Sequence, residues 1–568
     1  MADWFVRRPA RWRGLALRLV TECATRAIPV ECALLLLWRP PLPLPAAARL
    51  LLDTYALAEM LFLALYVMQK ARLSRRAALI PRQNHIDRQP LAERAAALDA
   101  MLDALGEAIG PDGDRGAEVT GWFLRRGARM HDEVVPEWAE LRVDNVADWL
   151  AWALWHCERS AVDPDELSVL VRRVEAWVHA GARATRAPLP AGCNTQLFAC
   201  RLTLDELRCS HRPLMAYVVT HLALGWLNRR NLRARGFAHR QSGRIAFWHR
   251  RAEPAVERAG SGGGGAPPPT DAHRRPPIVF LAGIGVGLVS YLALIDALLA
   301  AQPGRELILV ELEHICLRLS LEHEVESPEQ TVLRLRAILA ACGVDAAHWV
   351  GHSFGTVVIS WVLRLAPAAV APHADARAVA SSPAGSIGAI ASPVADKTPR
   401  TRAAARAAAA AAPYAPAATA ARAGAGDAAP PPPTCIAACT FVDPIPFLLF
   451  KANVAVRFCY QPARSPLDQL VRYFVAEEIG VSYSLHRHFS WPHNVLDPRL
   501  LAGVPTAVVL SELDAFVPSE AVRRHLAHRA PHAAVHMLAG HAHSQFCVSK
   551  EGLRAVVDAI LETDARVR

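Results

Sequence analysis

The chain has 568 residues, of which 52% are hydrophobic, so it is long enough to fold into several domains around a sizeable core. Its 63 lysines and arginines exceed its 53 aspartates and glutamates, but the basic residues are scattered arginines rather than one stripe, which argues against nucleic-acid binding. The 12 cysteines follow neither a zinc-ligand spacing nor a disulfide framework, and we expect no metal and no cofactor.

Residues 1–83 are predicted to form basic and apolar N-terminal helices. Two apolar runs, 28–38 and 50–68, are separated by prolines and flanked by lysines and arginines. Asp53 and Glu59 make a lone spanning helix costly, so either the runs lie on or in a membrane, or they are buried helices of a soluble domain. The flanking basic residues favour a membrane surface as partner, and we expect an intracellular, membrane-associated protein.

The stretch 84–252 is predicted to be a helical region. Apolar residues recur at spacings of three and four over four segments, at 91–109, 145–157, 165–180 and 213–228. Residues 253–276 then change to a glycine and proline composition that cannot bury a core, which predicts a flexible linker.

The remainder, 277–568, alternates β-rich apolar runs with helical patterns. That alternation predicts a mostly parallel sheet covered by helices on both faces. An alanine, proline and glycine-rich stretch at 381–433 indicates a low-complexity surface insertion, and an aromatic-rich helical stretch at 447–498 indicates a lid.

A G-x-S-x-G sequence, Gly351-His352-Ser353-Phe354-Gly355, stands between a short apolar run and a helix-forming run. Where a strand turns at once into a helix with serine at the apex, the flanking positions crowd neighbouring elements, and residues without a Cβ fit best. The motif therefore predicts a strand, turn and helix with a nucleophilic serine at its centre.

A serine nucleophile needs a base and an acid, which follow it along the chain in the order acid, then histidine. Asp514 comes directly after an apolar strand at 505–510 and is the predicted acid. Asp443 also follows a predicted strand and is the alternative, with Glu512 as a weaker third candidate.

Two histidines compete for the role of base. We prefer His543, because Phe546 three residues later is placed to hold its imidazole, and His541 remains the alternative. No carboxylate or cysteine cluster accompanies this pair, so the spacing does not indicate a metal site.

Negative charge that develops on a substrate oxygen needs fixed N–H donors. The backbone N–H of Phe354, at the start of the helix, is one predicted donor. The N–H of Ile284 is the other, in the glycine-rich loop 283–287 after the first strand. This loop reads G-x-G-x-G without an acidic partner in place, which excludes a dinucleotide-binding fingerprint.

Residues 277–565 resemble the α/β-hydrolase superfamily. The segments that carry the resemblance are Leu281-Ala282-Gly283-Ile284-Gly285, Gly351-His352-Ser353-Phe354-Gly355, Val442-Asp443-Pro444 and His543-Ser544-Gln545-Phe546. Upstream, Glu59-Met60-Leu61-Phe62 and Gly236-Phe237 are more loosely similar to α/β-hydrolase-domain proteins of fungi and algae with a helical, often membrane-associated N-terminal region.

The resemblance implies the α/β class, with an α/β-hydrolase fold of mostly parallel central sheet and helical lid, preceded by an all-helical N-terminal region. It also implies hydrolysis of an ester, thioester or amide. Members of the superfamily usually carry histidine before the oxyanion glycine, where this chain has Ala282, which implies a less firmly held loop.

These observations predict a serine hydrolase that cleaves an acyl ester through an acyl-enzyme, with a lipid-like small molecule as the preferred substrate. Two alternatives remain open. One is a non-catalytic lipid-binding or membrane scaffold protein, and the other is an acyltransferase that uses the same three residues. The sequence does not indicate an oligomeric state.

Overall fold

The computed structural model describes residues 27–75, 90–126, 135–181, 187–252, 275–317, 325–365, 435–461 and 466–567. The predicted basic segment at the N-terminus, nearly all of the linker 253–276 and the whole of the insertion 381–433 lie outside these residues.

A twisted sheet of eight strands organises the C-terminal half. Two small strands, β1 (Phe123–Arg125) and β2 (Leu197–Ala199), pair separately in the helical region. The large sheet contains β3 (Ala238–Ser242), β4 (Ile245–Arg250), β5 (Ile278–Leu281), β6 (Leu307–Leu312), β7 (Ala347–His352), β8 (Ile436–Val442), β9 (Thr506–Ser511) and β10 (Ala534–Leu538). Their order across the sheet is β10-β9-β8-β7-β5-β6-β4-β3.

All neighbouring pairs from β10 to β6 are parallel, and β4 runs antiparallel to both β6 and β3. A mostly parallel sheet of this order, with the serine motif after its fifth strand, is the α/β-hydrolase fold, which confirms the predicted fold class. The sheet begins upstream of the expected linker, because β3 and β4 form a hairpin that adds to its edge.

The helices follow the apolar periodicity of the sequence. Their bounds are α1 (Ile28–Trp38), α2 (Ala46–Arg75), α3 (Leu91–Ile109), α4 (Arg115–Thr120), α5 (Val143–Trp155), α6 (Pro164–His179), α7 (Leu214–Tyr217, a π-helical Val218–Leu224 and Gly225–Ala234, continuous), α8 (Leu292–Ala301), α9 (Pro328–Cys342), α10 (Phe354–Leu365), α11 (Ala452–Cys459), α12 (Pro466–Val471), α13 (Ile479–His488), α14 (Trp491–Asn494), α15 (Ser519–Arg529) and α16 (Lys550–Asp564). The helical character of the N-terminal region is thus confirmed.

Strand β5 shows why the sheet needs helices on both faces. Its side chains alternate in direction, with Val279 and Leu281 packing into the core on the side of α9 and α10. Ile278 and Phe280 pack into the core on the side of α8 and α16. A strand buried on both faces is continuously apolar, as the sequence of β5 is.

The helical region and the sheet share one hydrophobic core. Residues of α3, α5 and α6 belong to the same buried cluster as α9, α10 and the segments at 447–501. Polar contacts cross the same boundary: Trp122 donates its indole N–H to the carbonyl of Phe450 at 3.1 Å, and Arg529 pairs with Glu107 at 2.6 Å. The helical region is therefore packed against the fold that carries the serine motif.

Helix α2 is the one described helix that is long and apolar enough to cross a membrane. Only 17% of its most apolar window is buried inside the protein. A core helix of a soluble domain would be mostly buried, so this exposure argues against the alternative of a buried helix.

Candidate active site

Ser353 lies at the turn between β7 and α10 with a φ of 51°, in the left-handed region that residues with a Cβ rarely adopt. Its N–H donates to the carbonyl of Val442 at 3.0 Å, which ties the turn to the neighbouring strand β8. A Cβ at Gly355 would stand 2.2 Å from the carbonyl oxygen of Leu281, and one at Gly351 would stand 2.9 Å from the backbone of Gly355. Both glycines are therefore required by close backbone contacts.

Three of the predicted side chains form a continuous hydrogen-bond chain. The Ser353 hydroxyl lies 3.0 Å from His543 Nε2, and His543 Nδ1 lies 2.6 Å from a carboxylate oxygen of Asp514. Because a carboxylate only accepts, Nδ1 carries the proton and Nε2 accepts from the serine. The second Asp514 oxygen accepts from the N–H groups of Phe516 and Val517, at 2.8 and 2.9 Å, which holds the carboxylate in place.

The environment of His543 makes it a stronger base than an isolated imidazole. Burial by itself lowers the pKa of His543, but the charge and the hydrogen bond of Asp514 and the charge of Asp443 outweigh burial, so the pKa is raised above its ordinary value. The ring of Phe516 packs edge-on against the imidazole, with centroids 5.3 Å apart. This contact, rather than one from Phe546, lies against the ring of His543.

Asp443, the alternative acid, lies behind His543. Its two oxygens accept from the N–H groups of Ser511 and Ser544, at 2.9 and 3.0 Å, and its side chain is fully buried. Burial raises the pKa of Asp443. The carboxylate thus holds the loop that carries the base, while Asp514 makes the direct hydrogen bond to the imidazole.

Asp443, Asp514 and His543 each bring one atom of a type that binds metals within 4.8 Å of one another. All of these groups already take part in the hydrogen bonds described above. The cluster is therefore suited to holding a proton between charged groups.

His541 and Glu512, the remaining candidates, point elsewhere. His541 contacts the carbonyl of Ala539 at 2.9 Å and the hydroxyl of Ser549 at 2.8 Å, which fixes the loop to the start of α16. Glu512 accepts from the N–H of Gly540 at 2.7 Å. Both residues shape the turn around the base without contacting the serine.

The glycine-rich loop lies directly against the serine turn. A Cβ at Gly283 would stand 3.0 Å from the Cβ of Ser353. The N–H groups on either side of Ile284 are occupied, since Gly283 donates to Tyr291 Oη and Gly285 donates to the carbonyl of Ile315. Within the described residues the Ile284 N–H makes no hydrogen bond. The Phe354 N–H, in the first turn of α10, has no partner within its own helix.

A second hydrogen-bond chain, which the sequence did not predict, runs behind the first. Tyr291 Oη accepts from the Gly283 N–H at 3.0 Å and lies 2.7 Å from His352 Nδ1, and His352 Nε2 lies 3.1 Å from the Ser544 hydroxyl. Ser544 adopts a φ of 64° directly after His543. The glycine loop and the base loop are therefore joined through His352.

This chain changes the expectation attached to Ala282. The absence of histidine at that position predicted a less firmly held loop, but the hydroxyl of Tyr291 supplies the hydrogen bond to the next residue, Gly283. His352 stands inside the G-x-S-x-G motif, so its closeness to Ser353 could be predicted from the sequence. Tyr291 lies on a 3-10 turn before α8, and no local pattern marks it.

Comparisons with known proteins give matches among solved structures. Neither the protein-family models nor the curated proteins give a match to this chain. Solved structures that are similar include a bacterial membrane phospholipase A described as a virulence factor, with 11% identity over 62% of this chain and 94% of that chain, at a TM-score of 0.34.

Two carboxylesterase structures give comparable similarity. One, from the thaumarchaeon Nitrososphaera gargenis, has 10% identity over 58% of this chain and 99% of its own, with a TM-score of 0.32. The other, from Bacillus subtilis, has 12% identity over 60% of this chain and 99% of its own, with a TM-score of 0.31. The fold assignment rests on the strand order described above, and these scores add no argument about function.

Proposed function

We propose that the protein is a serine hydrolase that cleaves an acyl ester, with Ser353 as nucleophile, His543 as base and Asp514 as the acid that orients it. The observation that supports this proposal is the unbroken hydrogen-bond chain from the Ser353 hydroxyl, at 3.0 Å, through the imidazole to the buried carboxylate, at 2.6 Å. A scaffold protein has no physical need for a strained serine aligned with a histidine that is hydrogen-bonded to an aspartate.

In the first half of the reaction, Ser353 Oγ attacks the acyl carbonyl carbon while His543 Nε2 takes the hydroxyl proton. Asp514 stabilises the imidazolium through Nδ1–H. The N–H groups of Phe354 and Ile284 donate to the developing oxyanion. The bond between the carbonyl carbon and the alcohol oxygen then breaks, and His543 returns its proton to the departing alkoxide.

In the second half, His543 removes a proton from water, which attacks the acyl-serine. Collapse of the tetrahedral intermediate breaks the bond to Ser353 Oγ, which regains its proton from the imidazolium. The carboxylic acid is released. An alcohol in place of water gives acyl transfer by the same steps, and product analysis separates the two reactions.

We assign a lipid-like acyl group as the preferred substrate because aromatic side chains pack against Phe354, the residue after the serine, and against Phe516, which contacts His543. The ring centroids of Phe489 and Phe354 are 6.0 Å apart, and those of Phe458 and Phe516 are 5.4 Å apart. Phe516 itself lies against His543. Phe458 and Phe489 both come from the predicted lid at 447–498. The exposed apolar helix α2 and the resemblance to proteins with membrane-associated N-terminal helices support the same substrate class.

A fluorophosphonate probe tests the proposal, because it reacts only with an activated serine. We expect labelling of the full-length protein to be abolished by Ser353→Ala and reduced at least about 100-fold by His543→Ala. His541→Ala, two residues away, should retain labelling. Absence of labelling in folded wild-type protein, with folding checked by circular dichroism, would contradict the proposal and favour a binding role.

A further inference from the structure

Helix α7 exposes a stripe of large apolar side chains. They recur at intervals of four, three and four residues, which places them on one side of the helix: Met215, Val219, Leu222 and Trp226. Leu222 and Trp226 are 61% and 60% exposed, whereas Tyr217 and Asn228 on the other side are buried. Solitary exposed apolar residues are ordinary on soluble proteins, but a continuous stripe marks an interaction surface.

Helix α2 lies beside α7 and extends this surface. The N–H of Leu214 donates to the Glu59 carboxylate at 2.7 Å, and the rings of Phe62 and Tyr217 meet edge-on at 5.4 Å. Within a few turns of this contact, α2 exposes a similar series of side chains: Leu57, Leu61, Leu65 and Met68. Two neighbouring helices therefore turn apolar faces outward on either side of one junction.

Both acidic residues of α2 have partners within the protein. Glu59 is fully buried, where it accepts from Leu214 and from the hydroxyl of Tyr55 at 3.1 Å. Asp53 pairs with Arg49 at 3.1 Å. One face of α2 is thus held to the protein through Glu59, and the other face is apolar. Such a helix is suited to lying in a membrane interface rather than to crossing the bilayer alone.

Basic residues follow the apolar stripes of both helices. Arg229, Arg230 and Arg233 are exposed at the end of α7, and the Arg230 guanidinium lies 5.4 Å from the ring of Trp226. Arg72 and Arg75 occupy the last turn of α2 and are also exposed. Tryptophan and arginine beside an apolar face match the headgroup layer of an anionic bilayer.

We propose that α7 and α2 together form a docking surface for an anionic lipid bilayer, with both helices lying in the plane of the interface. The basic residues distinguish this partner from a second copy of the chain, whose matching surface would carry the same positive charge. The surface holds the protein on the membrane peripherally, without a spanning segment.

The docking surface is hydrogen-bonded to the lid, so membrane binding bears on the proposed function. The Tyr217 hydroxyl donates to Glu478 at 3.2 Å, and Glu478 caps the start of α13 by accepting from the N–H of Val481. Phe489, the residue after α13, packs against Phe354 beside the serine. This part rests on the serine hydrolase proposal: the substrate is an acyl lipid drawn from the bilayer on which α7 rests.

Flotation of the full-length protein with phosphatidylglycerol vesicles tests the surface directly. We expect Leu222→Glu to weaken partitioning about tenfold, because it places a charge in the acyl boundary, and Leu222→Glu with Trp226→Glu to weaken it further. Met537→Glu on β10 is the matched control, since Met537 is 37% exposed at the edge of the sheet opposite the β3–β4 hairpin that follows α7, and it should float as the wild type does.

Three outcomes would overturn the proposal: equal partitioning of Leu222→Glu and wild type, equal binding to phosphatidylglycerol and phosphatidylcholine vesicles, or retention of wild type on vesicles after an alkaline carbonate wash, which indicates a spanning helix. Conversion of a dimer to a monomer by Leu222→Glu, without vesicle binding by wild type, would instead identify an interface between copies. Fluorophosphonate labelling of the same variants is independent of flotation, so a failure of docking and a failure of catalysis are distinguishable.

Discussion

Two histidines, His352, which is buried, and His543, which is partly exposed, lie side by side at the carboxyl edge of the sheet, with ring centroids 5.3 Å apart, and their surroundings give them opposite properties. The pKa of His543 is raised above its ordinary value, whereas burial and the neighbouring charge of His543 hold the pKa of His352 well below it. Both rings are desolvated, so burial does not account for the difference.

The difference comes from the partners of each ring. His543 contacts the carboxylate of Asp514, which stabilises the protonated imidazole. His352 hydrogen-bonds two uncharged hydroxyl groups, those of Tyr291 and Ser544, and the Asp443 carboxylate lies 3.8 Å from its Nε2, beyond hydrogen-bond distance, so a charged partner offsets the cost of protonation less than Asp514 does for His543. One imidazole is therefore suited to exchanging a proton, and the other to holding a fixed hydrogen-bond geometry.

Removing the charged partner should have the largest effect. Asp514→Asn leaves the shape of the site but takes away the carboxylate that sets the tautomer and stabilises the imidazolium. We expect kcat for a short acyl ester to fall about 10³- to 10⁴-fold, with KM little changed. The initial rate of the purified variant, with Ser353→Ala as the background, is the measurement. A loss below tenfold would show that Asp514 is not the acid.

Asp443→Asn should have a smaller effect of a different kind. The variant loses a charge that raises the pKa of His543, and it loses an acceptor for the Ser544 N–H. Because the base must be neutral, activity appears as pH rises through the His543 pKa, and a raised pKa places this acid limb above the ordinary value of about 6.5. We expect the acid limb of the kcat/KM profile to move to lower pH because the charge is lost. Activity at neutral pH should nevertheless fall about tenfold, because the loop that carries His543 loses a hydrogen bond.

An unchanged acid limb in Asp443→Asn would show that this carboxylate does not act on the base electrostatically. If Asp443→Asn lost far more activity than Asp514→Asn, the assignment of the two acids would have to be exchanged. The pair of variants therefore separates the carboxylate that contacts the imidazole from the one that holds its loop.

The smallest effect on activity is expected from a change in the second hydrogen-bond chain, which runs from Tyr291 through His352 to Ser544. Tyr291→Phe removes the acceptor of the Gly283 N–H and leaves that donor buried, which should lower the free energy of unfolding by about 1–3 kcal/mol. Because Gly283 adjoins Ile284, we expect kcat to fall several-fold through a less firmly held oxyanion loop. Thermal unfolding and initial rates measure the two effects.

Tyr460→Phe is the matched control, since its hydroxyl donates to Asp205 at 2.6 Å away from the glycine loop. It should lower stability without lowering kcat. Equal losses of kcat in the two tyrosine variants would show that Tyr291 acts only through stability.

Most residues of the candidate site could be predicted from the sequence, because the patterns that mark them are local. A strand, a turn and a helix around Ser353 follow from a motif of five consecutive residues between an apolar run and a helix-forming run, and the apolar run before Asp514 marks a strand end. Local sequence patterns could not decide between Asp514 and Asp443 as the acid. β8 and β9 are parallel neighbours, so both acids arrive at the same edge of the sheet, and only their orientation separates them.

The amino-acid sequence by itself determined the fold class, the serine turn and the short set of residues able to serve it, because apolar periodicity and the G-x-S-x-G motif are patterns of near neighbours in the chain. The tertiary structure alone decided which histidine contacts Ser353 and which aspartate contacts that histidine, that Tyr291 holds the glycine loop, and that α7 lies beside α2 with its apolar stripe exposed. Those contacts join residues dozens to hundreds of positions apart, and packing rather than local pattern sets their distances.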